Sequence, residues 1–276
     1  MNVGVLGEAM WGAGKGLKNT IFLTIGNGIG GGAIVEGKIV HGMLHPEMGH
    51  MDESRLSREE LTNDLEASLR VLGVDYVDIY FLHRDDPKIP VEEIMPVLND
   101  FYESGKIHFI GVSNWTTQRI EEANKFAEEN GMEPIRISQI NYSLAHSSVE
   151  TFGDNTLVCM DTKEFRWYKK HDFPVMAFSP QAKGFFAKLA KGDAANNLPE
   201  GQYAGPANLA RLAKVKQLSE QTGDTPAKIT LGYLNSQPFF VSSVFAVTKL
   251  WQLDEDMEAQ DLTYDPKTVA FLENMI

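Results

Sequence analysis

From residue 57 onward, short β-rich runs alternate with amphipathic stretches of helical period, and this alternation admits few folds other than repeated βα units around a parallel sheet. The periodicity predicts helices over 57–72, 91–104, 116–129, 162–170, 206–218, 226–236 and 250–260. Between them it predicts strands over 76–82, 107–112, 135–141, 174–178 and 239–247. Ser57, with Glu60 three residues on, forms a capping box for the first of these helices. Repeats at this spacing make most of an eight-fold βα barrel, and 276 residues suffice for one large domain or two small ones.

The first fifty residues follow another pattern. A helix is expected over 3–17 and strands over 21–25 and 33–40, joined by Gly26-Asn27-Gly28-Ile29-Gly30-Gly31-Gly32. So short a connection makes an antiparallel hairpin, because a parallel return needs a crossover of about a dozen residues. No low-complexity linker separates the two regions, which places a domain of residues 1–51 directly against one of residues 52–276.

Composition narrows the function classes. A net charge of −13 disfavours nucleic acid and anionic membranes as partners. The single cysteine, Cys159, rules out an intrachain disulfide and a multi-cysteine zinc site, and fits a reducing compartment. No run of about 18 apolar residues occurs and no cationic-then-apolar leader opens the chain, so a cytoplasmic location is expected. The histidines His41, His45 and His50 read as solvated loop residues, and no metal site is expected.

Barrel active sites lie at the carboxy ends of the strands, so the polar residues there are the candidates. They are His83, Ser113 with Asn114, Gln139, and Ser179 after Phe178. Taken singly each is weak: a strand-end histidine is more often a satisfied structural group, and Ser-Asn after a strand is commonly a turn or cap. Their joint order is not weak. The series Asp75-Tyr76-Val77-Asp78-Ile79-Tyr80-Phe81-Leu82-His83, Gly111-Val112-Ser113-Asn114, Gln139-Ile140-Asn141-Tyr142, Phe178-Ser179-Pro180-Gln181-Ala182-Lys183-Gly184 and Val247-Thr248-Lys249-Leu250 resembles the aldo-keto reductase family over about four-fifths of the chain.

That resemblance implies a partial (β/α)8 TIM barrel and hydride transfer from NADPH to a small-molecule carbonyl. It implies that His83 orients the carbonyl as the catalytic residue left. Ser113, Asn114 and Gln139 would hold the nicotinamide carboxamide, and Phe178 would stack on the ring. Ser179 and Lys183 would lie along the pyrophosphate, with Thr248 and Lys249 at the 2′-phosphate and Glu255 at the adenine. Asp256 departs from the family, which often has asparagine there. A second departure is larger: the family's proton-donating tyrosine, with its lysine and aspartate, belongs before the matched region, and the first tyrosine here is Tyr76, inside a strand.

In place of that region, Gly7-Glu8-Ala9-Met10-Trp11-Gly12, Thr24-Ile25-Gly26-Asn27-Gly28-Ile29-Gly30-Gly31-Gly32-Ala33 and His45-Pro46-Glu47-Met48-Gly49-His50 resemble the ROK family of sugar kinases, its fructokinase branch in particular. The resemblance implies a helix and hairpin from an actin-like kinase fold, with Glu47 toward sugar and the glycine-rich turn toward phosphates. Two unrelated signatures meeting at His45–His50 mark a chimera. The expected function is an NADPH-dependent oxidoreductase impaired in catalysis; the alternatives are a ROK-type, fructokinase-like sugar kinase remnant and an inactive chimera or NADPH-binding fragment. A barrel without its first strands has open sheet edges, which offer a route to self-association.

Overall fold

The computed structural model describes residues 20–25, 29–35, 38–39, 56–192, 203–247 and 249–273. The expected helix over 3–17 and the candidates His41, His45, Glu47 and His50 lie outside the described residues, as does Thr248. By compactness the chain divides into residues 1–138 and 139–276.

In the first unit, β1 (Thr20–Ile25), β2 (Ile29–Val35) and β3 (Lys38–Ile39) form an antiparallel sheet in that order. The hairpin is antiparallel as its short connection requires, but its second strand begins earlier than the glycines suggest. Gly30, Gly31 and Gly32 pair with Thr24, Leu23 and Phe22 inside the ladder, and the expected strand over 33–40 is two pieces, β2 and β3. Glycine punctuates a chain only where a turn draws on its free φ; here a ladder partner on β1 fixes it as strand.

The helix α1 (Arg58–Leu72) starts at Ser57, whose Oγ accepts from the Glu60 N–H at 3.3 Å. The Glu60 carboxylate accepts the Ser57 hydroxyl in return, 3.3 Å away, in place of the backbone N–H of a full capping box. Gly73, with φ 69°, ends the helix in the left-handed region. Then come β4 (Val77–Leu82), α2 (Val91–Glu103), β5 (Ile107–Ser113), α3 (Thr117–Glu129) and β6 (Ile135–Asn141). The strand β4 is parallel to β5, with Val77 opposite Ile107 and Leu82 opposite Val112. In both strands the first residue is buried, the next two are not, and the carboxy-terminal half is buried throughout, the mark of a parallel sheet covered on both faces there. Asn124 of α3 fixes the start of β6 with two bonds to Ile135, one to its N–H and one to its carbonyl. Cα atoms of β1 approach β4 within 8 Å, so the hairpin lies alongside that strand, although no ladder joins the two sheets among the described residues.

The second unit continues with α4 (Val149–Phe152), α5 (Thr162–His171), β7 (Val175–Phe178), a 3₁₀ turn (Ala182–Gly184), α6 (Phe185–Ala190), α7 (Pro206–Thr222), α8 (Pro226–Asn235), β8 (Val241–Val244), α9 (Leu250–Met257) and α10 (Pro266–Glu273). The five strands follow one another in sequence order in one sheet, and β7 runs parallel to β8. This architecture is the expected partial (β/α)8 barrel. The last strand is shorter than the expected 239–247, because only Val241–Val244 pairs with β7. The core of this unit gathers Tyr168, Phe185, Phe186, Tyr203 and Tyr233 around β7, all less than 5% exposed. Gly232, inside α8, lets that helix sit against Leu262 and Tyr264: an added Cβ would lie 2.9 Å from Leu262 Cγ and from Tyr264 Cε2. Gly232→Ala is therefore expected to lower stability by about 1–3 kcal/mol in urea unfolding. Intrinsic helix propensity alone would raise it by about 1 kcal/mol.

Among the described residues no helix is long and apolar enough to cross a membrane, and no group of three or more acidic, histidine or cysteine side chains is placed to hold a metal ion.

Candidate functional site

Parallel pairing of β4 and β5 sets their carboxy ends side by side and brings three of the expected residues together. Asn114 Nδ2 donates to the carbonyl oxygen of His83 at 3.3 Å and to Ser113 Oγ at 2.9 Å. Asn114 holds φ 58°, in the left-handed region that asparagine tolerates better than most residues, and it is only 3% exposed. A buried side chain in an uncommon backbone conformation, tied across two strands, is a fixed group and not a surface turn.

His83 is half-buried, and its Nδ1 is buried without a hydrogen-bond partner. Burial, with the Arg84 charge second, lowers its pKa from 6.5 to about 4, so the ring is neutral at physiological pH. The unfolded chain takes up this proton near 6.5 and the folded chain only near 4, so stability falls as pH drops through that window. His83→Gln removes the effect. Its stability relative to the parent is expected to rise by roughly 1–2 kcal/mol between pH 7 and pH 4 in urea titrations, after allowance for the solvent-exposed part of the ring.

The second unit has its own concavity, a cleft of about 620 Å³ at the carboxy end of β7. Ser179, Lys183 and Glu255 are among the residues that line it. Phe178 ends β7 immediately before it, and Gln139 is a buried residue of β6. Lys249 is exposed at the start of α9; its N–H donates to Gln252 Oε1 at 2.9 Å, and its side chain is not among those lining the cleft.

Three residues without glycine's freedom, Ser179, Ala182 and Lys183, have φ of 54°, 49° and 54°. Two turns close within this stretch, the Ala182 N–H on the Ser179 carbonyl and the Gly184 N–H on that of Gln181. Lys188 and Lys191 add two cations to Lys183 on this wall, and Lys191 Nζ stands 5.0 Å from the centre of the Trp251 ring. Asp256, which also lines the cleft, accepts at Oδ1 from Gln181 Nε2 at 2.6 Å.

Sequence reasoning missed Lys188, Lys191, Trp251 and Gln181 as site residues. The signal for the two lysines was local: Phe185, Phe186 and Leu189 form an apolar face, so Lys188 and Lys191 fall on the other side of a short helix. The Gln181–Asp256 bond joins residues 75 apart and has no local signature.

The chain is 26% identical over 236 residues to the L-glyceraldehyde 3-phosphate reductase of Escherichia coli strain K12, a match over 80% of this chain and 64% of that protein. It is 26% identical over 219 residues to a putative voltage-gated potassium channel subunit beta of Schizosaccharomyces pombe, covering 74% of this chain and 60% of the other. The chain thus spans less than two thirds of the length of these relatives. A crystal structure of a thermostable aldo-keto reductase with the inhibitor epalrestat superposes with a TM-score of 0.59 at 22% identity, over 81% of this chain and 68% of that one, a likeness of fold. The ROK family model matches residues 1–60. The aldo/keto reductase family model matches residues 32–276, nearly the whole strand-and-helix series described above, and the chain belongs to that family.

Proposed function

We propose that this chain binds NADPH and retains the substrate-orienting part of a carbonyl reductase, while lacking an efficient proton donor. The observation that carries the reading is the cleft after β7, where Ser179, three lysines and a left-handed backbone turn line one wall of a concavity large enough for a nucleotide. The donor set suits the group: the lysine cations and the Ser179 hydroxyl for phosphates, Glu255 and Trp251 for a base and its sugar. Ser179 and Lys183 serve the pyrophosphate, Lys249 and Thr248 the 2′-phosphate, and Glu255 the adenosine. Ser113, Asn114 and Gln139 hold the carboxamide, and Phe178 gives the ring a flat contact.

A bound reduced nicotinamide supplies the hydride. The chain's own contribution is orientation and polarisation. His83, neutral at physiological pH, donates a ring N–H hydrogen bond to the carbonyl oxygen without the desolvation cost of a buried cation. A proton must also reach that oxygen, and four of the described tyrosines are poorly suited to give it. Burial pushes the hydroxyls of Tyr80, Tyr142 and Tyr233 upward, and Tyr264 up to about 12, the reverse of what an acid catalyst needs.

The kinase reading draws on residues 1–60 alone, and Gly30, Gly31 and Gly32 lie in the β1–β2 ladder and not in a phosphate-cradling loop. Overlap of the two family matches over residues 32–60 fits a chimera. Titration with NADPH, followed by the fluorescence of the chain's four tryptophans, tests the reading. Saturable binding, weakened at least about tenfold by Lys183→Ala with Lys188→Ala, is expected. Absence of binding at millimolar NADPH, or phosphorylation of fructose from ATP, would overturn it.

A further inference from the structure

The two walls of the cleft differ in charge. Lys183, Lys188 and Lys191 stand on the 3₁₀ turn and α6, whereas α9 presents Glu255 and Asp256. Asp256 is the unusual member: it is 5% exposed, and among the described residues no ion pair holds it. Its partner is an amide, Gln181, which donates one hydrogen bond. The other charged groups on the elements around it do not neutralise it. Lys228 of α8 is engaged by Glu258 and Lys191 lies over Trp251, while Glu255, its neighbour on α9, adds negative charge. An ionised carboxylate so placed has lost most of its water for a single neutral donor.

We infer that Asp256 gates nucleotide binding by its protonation: as a carboxylic acid it offers a donor and an acceptor to the base edge, and as a carboxylate it offers acceptors only and repels the phosphates. A purine edge bearing an amino group beside a ring nitrogen matches the acid form and half-matches the ionised one. The direction of titration agrees. Burial, reinforced by Glu255 and opposed by the Gln181 bond, raises the Asp256 carboxyl from 3.8 to about 6, so both forms are populated near neutrality. This inference rests on the proposed nucleotide reading of the cleft.

The test is NADH binding from pH 5 to pH 8 by tryptophan fluorescence, for the parent and for Asp256→Asn. NADH is the probe because the extra phosphate of NADPH itself titrates near pH 6. The parent is expected to bind roughly tenfold more weakly at pH 8 than at pH 5, the order of one lost hydrogen bond between neutral groups together with the added repulsion of the phosphates. Asp256→Asn keeps an oxygen for Gln181 and stays neutral, so its affinity is expected to vary by less than about twofold and to exceed the parent's at pH 8 by roughly tenfold. Site-resolved carbon NMR of the Asp256 carboxyl in the free protein supplies a readout independent of the variant's folding, with a midpoint near 6 expected. A midpoint near 4, a flat parent profile, or a slope that survives in Asp256→Asn overturns the inference and leaves the nucleotide reading standing. No NADH binding by either protein at any pH removes the nucleotide reading and the gate with it.

Discussion

Arg119→Met is expected to destabilise the chain by about 3–5 kcal/mol at pH 7, measured by urea unfolding. Arg119 is 8% exposed and meets three kinds of partner: Asp85 at 3.3 Å, the carbonyl of Ile89, and the face of Trp115 at 5.2 Å. Asp85 shares its burial, the two side chains being 10% and 11% exposed. Burial raises the Asp85 carboxyl even with the guanidinium beside it, and Asp86 and Glu122 push the same way. Methionine keeps most of the stem that packs on Trp115 but removes the cation that opposes those effects, leaving a carboxylate that must protonate or draw in water. The second change Asp85→Asn should therefore recover more than half of the loss, as a double-mutant cycle would show. A loss below about 1 kcal/mol for Arg119→Met would mean that water already solvates the pair.

The same neighbourhood shows what the sequence makes legible. Strands β4, β5 and β6 and the helices between them follow from period alone, since apolar runs of strand length alternate with amphipathic runs bounded by Ser57, Thr116 and Gly73. The order of polar residues at the strand ends, His83 and then Ser113-Asn114, also needs no coordinates. What escapes is set by longer-range or backbone effects. The turn after β7 uses Ser179, Ala182 and Lys183 in a conformation that sequence reading assigns to glycine, so only Gly184 announces it. The converse error affects β2, where three glycines read as a loop are held in a ladder by their partners on β1. At β8 the apolar pattern runs past both ends of the paired segment, because hydrophobicity reports burial and not hydrogen bonding. The short helices α4, α6 and α10 have at most 8 residues and too few turns to show a period.

Turnover is where the proposed reading predicts its largest effect. Carbonyl reduction is expected to proceed about 10²- to 10⁴-fold more slowly than in a reductase of like affinity whose proton donor is in place, measured as single-turnover NADPH oxidation with excess aldehyde. Among the described residues His83 is the group at the strand ends that could substitute for the donor, and its chemistry bounds how well. With a pKa of about 4, only about one ring in a thousand carries a second proton at pH 7. If that minority form were the acid, the rate would climb roughly tenfold for each pH unit from 7 down toward 4, and His83→Gln would abolish the climb. If His83 only orients the carbonyl, the profile stays flat over that range and His83→Gln lowers the rate by a constant factor at every pH. The neutral ring, with no partner at its buried Nδ1, favours the flat profile. A rate within tenfold of an intact reductase, level from pH 5 to pH 8, would show instead that a group outside the described residues delivers the proton.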